Sequence, residues 1–428
     1  KINMKVMWLI NFAVPIITEG EGTTANVNEG WISGMLNALT NYNGVHLAIC
    51  YPQKKSEDIQ YDVIANIEYV GYPQTEDARE YDPRLKGKFV QIIEKTAPDI
   101  VHLMGTEFPH CYSMVEACIE RKIKQNLVVS IQGLVSIYAQ HYLNTLPVNV
   151  VYGRTIRDWI KNENQYKAAQ KLKNRGKYER QALALIPNVI GRTDWDMACT
   201  MQLAPNAHYY HNNEVLRKSF YDGKWCYKNC EKHSIFFSQA TTPIKGLHIM
   251  LRALPLIKNR YPDVKLYIAG INISAFPAYK ISSYGKYLKD LIREQALSEN
   301  VVFTGPLVEK EMKKRFLASN VFVSSSVIEN SPNSVGEAMI LGIPCITSDV
   351  GGVKNMIKHE EEGFIYQTDA PYMIAYYVDK IFSMKADATL IGEKAREHAL
   401  QTHDPIINGR ELVEIYRKIK NENTEDDA

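Results

Sequence analysis

Short apolar runs of strand length recur along this chain, each separated from the next by a segment long enough for a crossover helix. No other feature constrains the fold as strongly. Successive strands can all point the same way only if helices return over the sheet faces, which leads to doubly wound parallel sheets. In the first half, residues 6–12 read as a buried strand, 26–41 as a helix and 45–50 as the next strand, with further strands at 99–103 and 127–131. The pattern restarts at His233, with strands expected at 234–238, 264–269, 301–304, 321–324 and 344–347 and a helix at 246–259. The expected class is α/β, with a first domain over 1–188 and a second over 189–402. The boundary falls near 186–192, and an amphipathic helix over 403–421 crosses back to complete the first domain.

A chain of 428 residues, 45% hydrophobic and 23% charged, can bury large cores without disulfide or metal staples. Its 50 basic and 48 acidic residues leave a net charge of +2, which excludes a nucleic-acid binder driven by bulk charge. Seven cysteines, an odd number with no CxxC pair, read as free thiols in a reducing compartment. The cluster Cys226, Cys230 and His233 reads as a surface loop, so no metal is expected. Lys1 and Lys5 precede the apolar 6–10, but Asn11 and Pro15 interrupt the run, which favours a buried strand over a leader. The expected location is cytoplasmic.

Gly20-Glu21-Gly22-Thr23-Thr24-Ala25 lies between the first strand and the first helix. Glycines there let backbone approach a phosphate, so Gly20, Gly22 and Thr23 are candidate ligand contacts. The letters also fit G-x-G-x-x-A, but the second strand ends in Cys50-Tyr51-Pro52, with no carboxylate for a dinucleotide ribose. A nicotinamide-dependent oxidoreductase rests on this match alone, and a plain tight turn is the remaining alternative.

The densest cluster of polar residues runs from Ser324 to Glu337. Glu329 falls in the loop at a strand's C-terminal edge, where ligands of open α/β sheets sit. Asn330, Ser331, Asn333 and Ser334 lead into a helix that Pro332 opens, leaving backbone N–H groups free for a ligand. Glu337 follows in that helix. Two acceptor carboxylates beside a row of donors suit a polyhydroxylated ligand.

This segment resembles the donor-site signature of glycosyltransferase family 4, whose pattern is a Glu, seven residues and a second Glu. Ala338-Met339, Gly342-Ile343-Pro344 and Gly351-Gly352 continue that consensus. The resemblance covers about 236–363. It implies the GT-B fold, two Rossmann-like domains facing across a cleft, and a retaining, metal-independent hexosyl transfer with no cofactor beyond a nucleotide-diphosphate sugar. It further implies that Glu329 contacts donor-sugar hydroxyls, Glu337 the ribose, and 330–334 the sugar or phosphate, with backbone near Gly305 and Leu307 selecting the base. Lys245, in Pro243-Ile244-Lys245-Gly246, matches the cation that neutralises the diphosphate. The companion Arg of that pattern is replaced by Ala240, and Arg192 is a candidate substitute.

In the first half, the loop where relatives carry a catalytic His reads Ser130-Ile131-Gln132-Gly133. Gln132 cannot be a general base but can orient a sugar. Glu107 and His110, after the strand at 99–103, are further candidates. Between Arg154 and Arg180 stand nine basic residues against three acidic ones, with Trp159 and Tyr166. Such a stretch suits an anionic membrane surface or a polyprenyl-linked acceptor, with a solvated helix face as the alternative. The expected role is sugar transfer to a glycan or lipid-linked acceptor in cell-surface polysaccharide synthesis, at the inner face of a membrane. A catalytically weak nucleotide-sugar binder is the alternative that Ala240 and Gln132 motivate.

Overall fold

The computed structural model describes residues 3–13, 30–40, 42, 44–53, 56–75 and 77–426. The chain separates into two compact units. The first comprises 1–137, 172–215 and 404–428, the second 138–171 and 216–403.

The first unit holds one sheet of β1 (Met4–Leu9), β2 (Val45–Gln53), β3 (Gln60–Ile64), β4 (Ile67–Pro73), β5 (Ile100–Met104), β6 (Leu127–Ser130), β7 (Asn188–Gly191) and β8 (His208–His211). Their order is β3-β4-β2-β1-β5-β6-β7-β8, and only β3 and β4 pair antiparallel. Val6 and Trp8 enter one core cluster while Met7 and Leu9 enter the other. Both faces of β1 are therefore apolar, which is why it reads as an unbroken hydrophobic run.

The helix Pro405–Asp426 closes the first core cluster with Leu412, Val413, Ile415, Tyr416 and Ile419. It starts where it does because Asp404 Oδ1 accepts from Ile406 N at 2.8 Å and Ile407 N at 2.9 Å. The Tyr416 hydroxyl accepts from Trp8 Nε1 at 3.0 Å and meets His102 Nδ1 at 2.6 Å; His102 Nε2 meets Ser130 Oγ at 2.8 Å.

The second unit holds β9 (Ser234–Phe237), β10 (Lys265–Ala269), β11 (Val301–Gly305), β12 (Val321–Ser324), β13 (Cys345–Ser348) and β14 (Phe364–Tyr366). All pairs are parallel, in the order β11-β10-β9-β12-β13-β14. Phe316 packs between Phe236 and Phe322, with ring centroids 4.8 and 5.0 Å away. Strand order reverses between β9 and β12, so the loops leaving their C-terminal ends diverge and open a crevice.

Two expectations change. The domain boundary does not fall near 186–192, because Asn188–Gly191 is β7, paired between β6 and β8 in the first unit. At four residues it is too short to stand out, and Asn188 is tied down by its side chain donating to Leu127 O at 3.0 Å. The chain instead passes to the second unit at 215–216, and the excursion 138–171 also belongs there. The hairpin β3–β4 was not expected either. Its turn uses Ala65 and Asn66, both at positive φ (51° and 65°), without the Asn-Gly signature.

Candidate functional site

The site in the second unit is built where the sheet reverses. After β9 the chain forms a single turn, Pro243–Lys245, closed by Gly246 in the left-handed region at φ 71°. After β12 the neighbouring loop runs to Pro332. Val327 N donates to Ile244 O at 2.8 Å, and Ser325 Oγ donates to Gly246 O at 2.8 Å, stitching the two loops together. A Cβ on residue 246 would collide with the Ser325 carbonyl, so both φ and close approach require glycine. The result sets Lys245 Nζ on Glu329 Oε1 as an ion pair, and Ser326 Oγ donates to the same oxygen at 3.1 Å. Glu329 is only 7% exposed. Gly351 packs against its backbone, where a side chain would strike the Glu329 carbonyl, and Gly352 N donates to that carbonyl at 3.1 Å.

The helix Asn333–Leu341 opens behind Pro332, with Asn333 and Ser334 half-buried as its first residues, Ser331 half-buried just before it and Asn330 buried. Gly342, at φ 77°, ends it. Glu337 is buried, and Arg217 grips it as a fork: Nε donates to Oε1 at 2.5 Å and NH2 to Oε2 at 2.6 Å. Burial pushes the Glu337 carboxyl above the ordinary value, while Arg217 draws it back. Arg217 was missed in the sequence. It lies 120 positions from its partner, and the only available signal was that a buried carboxylate needs a cation. Ala240 is fully buried and brings no charge. Gly305 ends the edge strand β11 at φ 77°, and Leu307 follows half-buried.

The remaining candidates lie in the first unit. Arg192 belongs to the first unit. It follows β7, where NH1 donates to Ile131 O at 2.8 Å and NH2 pairs with Glu214 at 3.1 Å, both side chains almost fully buried. Gln132 is half-buried beside it, and its Oε1 accepts from Arg192 NH2 at 3.4 Å. Together with His102, Ser130, Asn212 and Glu214 they line a small cavity. His110 opens the helix His110–Glu120, buried against Phe108 and Tyr72, and burial holds it neutral, with its pKa lowered to about 3. Such an imidazole does not carry protons near neutral pH. Glu107 is half-buried. Its Oε1 accepts from Gly133 N at 3.2 Å and its Oε2 from Asn11 Nδ2 at 3.4 Å, and desolvation raises its pKa to about 7. Gly20, Gly22 and Thr23 lie outside the described residues. The basic stretch 154–180 is divided between the helix Ile156–Ile160 and the long helix Gln165–Leu183, with Arg175 half-buried. No helix among the described residues is long and apolar enough to cross a membrane.

Residues 228–398 match the family model for glycosyl transferases group 1. The chain is similar to an uncharacterized glycosyltransferase of Methanocaldococcus jannaschii, 29% identical over 187 residues, or 44% of this chain and 45% of that protein. It is also similar to D-inositol 3-phosphate glycosyltransferase of Corynebacterium urealyticum, 24% identical over 176 residues, covering 41% of each. The chain thus spans under half the length of these curated relatives. Among solved structures, sucrose-phosphate synthase from Thermosynechococcus elongatus superposes with a TM-score of 0.70 at 15% identity, covering 97% of this chain and 99% of that one. HepE of Anabaena in complex with UDP superposes with a TM-score of 0.63 at 15% identity, covering 97% and 100%. These likenesses establish the GT-B fold of two parallel-sheet α/β units.

Proposed function

We propose that the chain is a retaining, metal-independent glycosyltransferase of family 4, moving a hexose from a nucleotide-diphosphate donor to a glycan or polyprenyl-linked acceptor. The observation that carries this reading is the Lys245–Glu329 contact at the switch point of the second sheet, with the Arg217–Glu337 pair in the adjoining helix. In the proposed reaction the bond from sugar C1 to the β-phosphate oxygen breaks and one to the acceptor oxygen forms. The acceptor proton passes to the departing phosphate, whose charge Lys245 offsets. Glu329 accepts from sugar hydroxyls and Glu337 from the ribose. Gly305 and Leu307 border the base, and backbone at Asn330, Ser331, Asn333 and Ser334 holds sugar or phosphate. Gln132, in the first unit, orients sugar hydroxyls. The proposed setting is cell-surface polysaccharide synthesis, with a cytoplasmic chain working at the inner face of the membrane.

A thermal-shift screen over UDP-, GDP-, ADP- and CDP-sugars tests the donor, since the right one stabilises the folded state. Glu337→Ala should then weaken nucleotide binding, whereas Glu329→Ala should mainly lower transfer. Full donor-dependent activity in both variants would remove the assignment. The fully buried Ala240 favours a second reading, a nucleotide-sugar binder with little turnover. Tight nucleotide binding with neither transfer nor donor hydrolysis selects it.

A further inference from the structure

Residues 148–161 expose much apolar surface for a segment so firmly held. The helix Ile156–Ile160 begins with a capping box in which Thr155 Oγ1 accepts from Asp158 N at 3.2 Å and Asp158 Oδ2 accepts from Thr155 N at 3.3 Å. The same carboxylate accepts from Ser283 N at 2.7 Å, at the start of the helix Ser283–Glu294, and Thr155 Oγ1 donates to Ile281 O at 2.6 Å. One face of the short helix is therefore pinned to the second unit. At roughly 100° per residue, Ile156, Trp159 and Ile160 fall together opposite Asp158. They are 61%, 76% and 75% exposed. The preceding helix Val148–Tyr152 exposes Val148 and Tyr152 as well.

The geometry points to this segment as a docking surface for an anionic lipid bilayer, with Ile156, Trp159 and Ile160 entering the headgroup–acyl boundary. Charge supports that occupant. Arg154 and Lys161 flank the apolar face and are exposed. The nearby acids are already engaged, Asp158 by Arg157 at 2.8 Å and Glu163 by Arg157 and Lys171 at 3.2 and 2.9 Å. An indole beside branched aliphatics, flanked by the exposed cations Arg154 and Lys161, matches the layering of a membrane interface. A second copy of the chain fits poorly, because one face of a five-residue helix falls far short of the roughly 800 Å² that each partner gives to a stable protein interface. The inference deepens the proposed action on a lipid-linked acceptor, but lipid binding does not depend on turnover.

Co-sedimentation of the full chain with phosphatidylcholine vesicles, with and without phosphatidylglycerol, tests the surface in the absence of donor. The wild type should bind the anionic vesicles and release them at high salt. Ile156→Ser/Trp159→Ser/Ile160→Ser should lower the bound fraction on the order of tenfold with unchanged melting temperature, since each replaced side chain is exposed. Lys161→Glu should weaken binding without touching the apolar face. Equal binding to neutral vesicles, undiminished binding by the triple variant, or conversion of a wild-type dimer to monomer by that variant each overturns the inference. Loss of sugar transfer with vesicle binding intact counts against the enzymatic reading alone.

Discussion

Arg217→Met leaves Glu337 buried without its cation. The fork contacts at 2.5 and 2.6 Å and side-chain exposures of 10% and 6% describe a desolvated pair. Removing one partner of such a pair costs about 3–5 kcal/mol, because the remaining charge is stranded. In a unit of this size each kcal/mol lowers Tm by about 2–4 °C, so a drop of about 6–20 °C is expected. Burial already raises the Glu337 carboxyl above 4.5, and without Arg217 it rises further. A carboxyl whose pKa is higher folded than unfolded binds more protons in the native state. Its stabilising contribution is complete below the unfolded pKa and is lost as pH climbs through the folded one. The deficit of the variant should therefore be smallest in acid and grow toward neutrality. Arg217→Met/Glu337→Gln removes both charges and should recover most of the loss. Calorimetry of the wild type, both single variants and the double variant across about pH 5 to 8 measures each term. If Arg217→Met melts with the wild type, or the double variant melts no higher than Arg217→Met, the pair does not hold the helix Asn333–Leu341 as described.

Gly246→Ala should destabilise the second unit by about 1–3 kcal/mol, from its left-handed φ and the collision with Ser325, and on the proposed reading should weaken nucleotide affinity by displacing Lys245; urea unfolding and a nucleotide titration read the two effects. Glu107 has its pKa raised from 4.5 to about 7, which at about 1.4 kcal/mol per unit removes about 3 kcal/mol from the first unit as pH rises across that interval. Glu107→Gln should flatten this part of the stability–pH curve, and an unchanged slope would show that Glu107 is not its source. Tyr416→Phe leaves the Trp8 Nε1 donor and His102 Nδ1 without their shared hydroxyl and should cost about 1–3 kcal/mol, read as a lower urea midpoint at constant m.

How legible each part was depends on how far apart in sequence its causes lie. Glu329, Asn333, Ser334 and Glu337 sit on one loop and the helix it opens, so spacing alone brings them to one strand edge. Lys245 was legible through the resemblance of Pro243-Ile244-Lys245-Gly246 to a family pattern, and it sits in a single turn that Gly246 closes. Arg217 meets Glu337 across 120 positions, through a pairing that nothing in Val215-Leu216-Arg217 announces. Arg192 likewise meets Glu214, a partner that nothing in Gly191-Arg192-Thr193 announces. In the basic stretch, composition does not reveal that Arg157 pairs with Asp158 and Lys171 with Glu163.

The ion pairs also bear on how the site would respond to its ligand. Lys245 and Arg217 are each matched to one carboxylate, so the charges of these two pairs cancel. The pairs are not equivalent, however. Arg217 and Glu337 are both nearly buried and joined by two hydrogen bonds, whereas the Lys245 side chain is 30% exposed and is a single flexible ammonium. On the proposed reading, an incoming diphosphate competes with Glu329 for Lys245 and leaves Arg217 in place. Removing Lys245 from Glu329 frees a carboxylate that Ser326 still orients, available to accept from sugar hydroxyls. Donor binding would then create the sugar-binding carboxylate by the same exchange that neutralises the phosphate. Nucleotide diphosphate and sugar should therefore bind with positive coupling in the wild type and independently in Lys245→Met, and equal coupling in both proteins would refute the exchange.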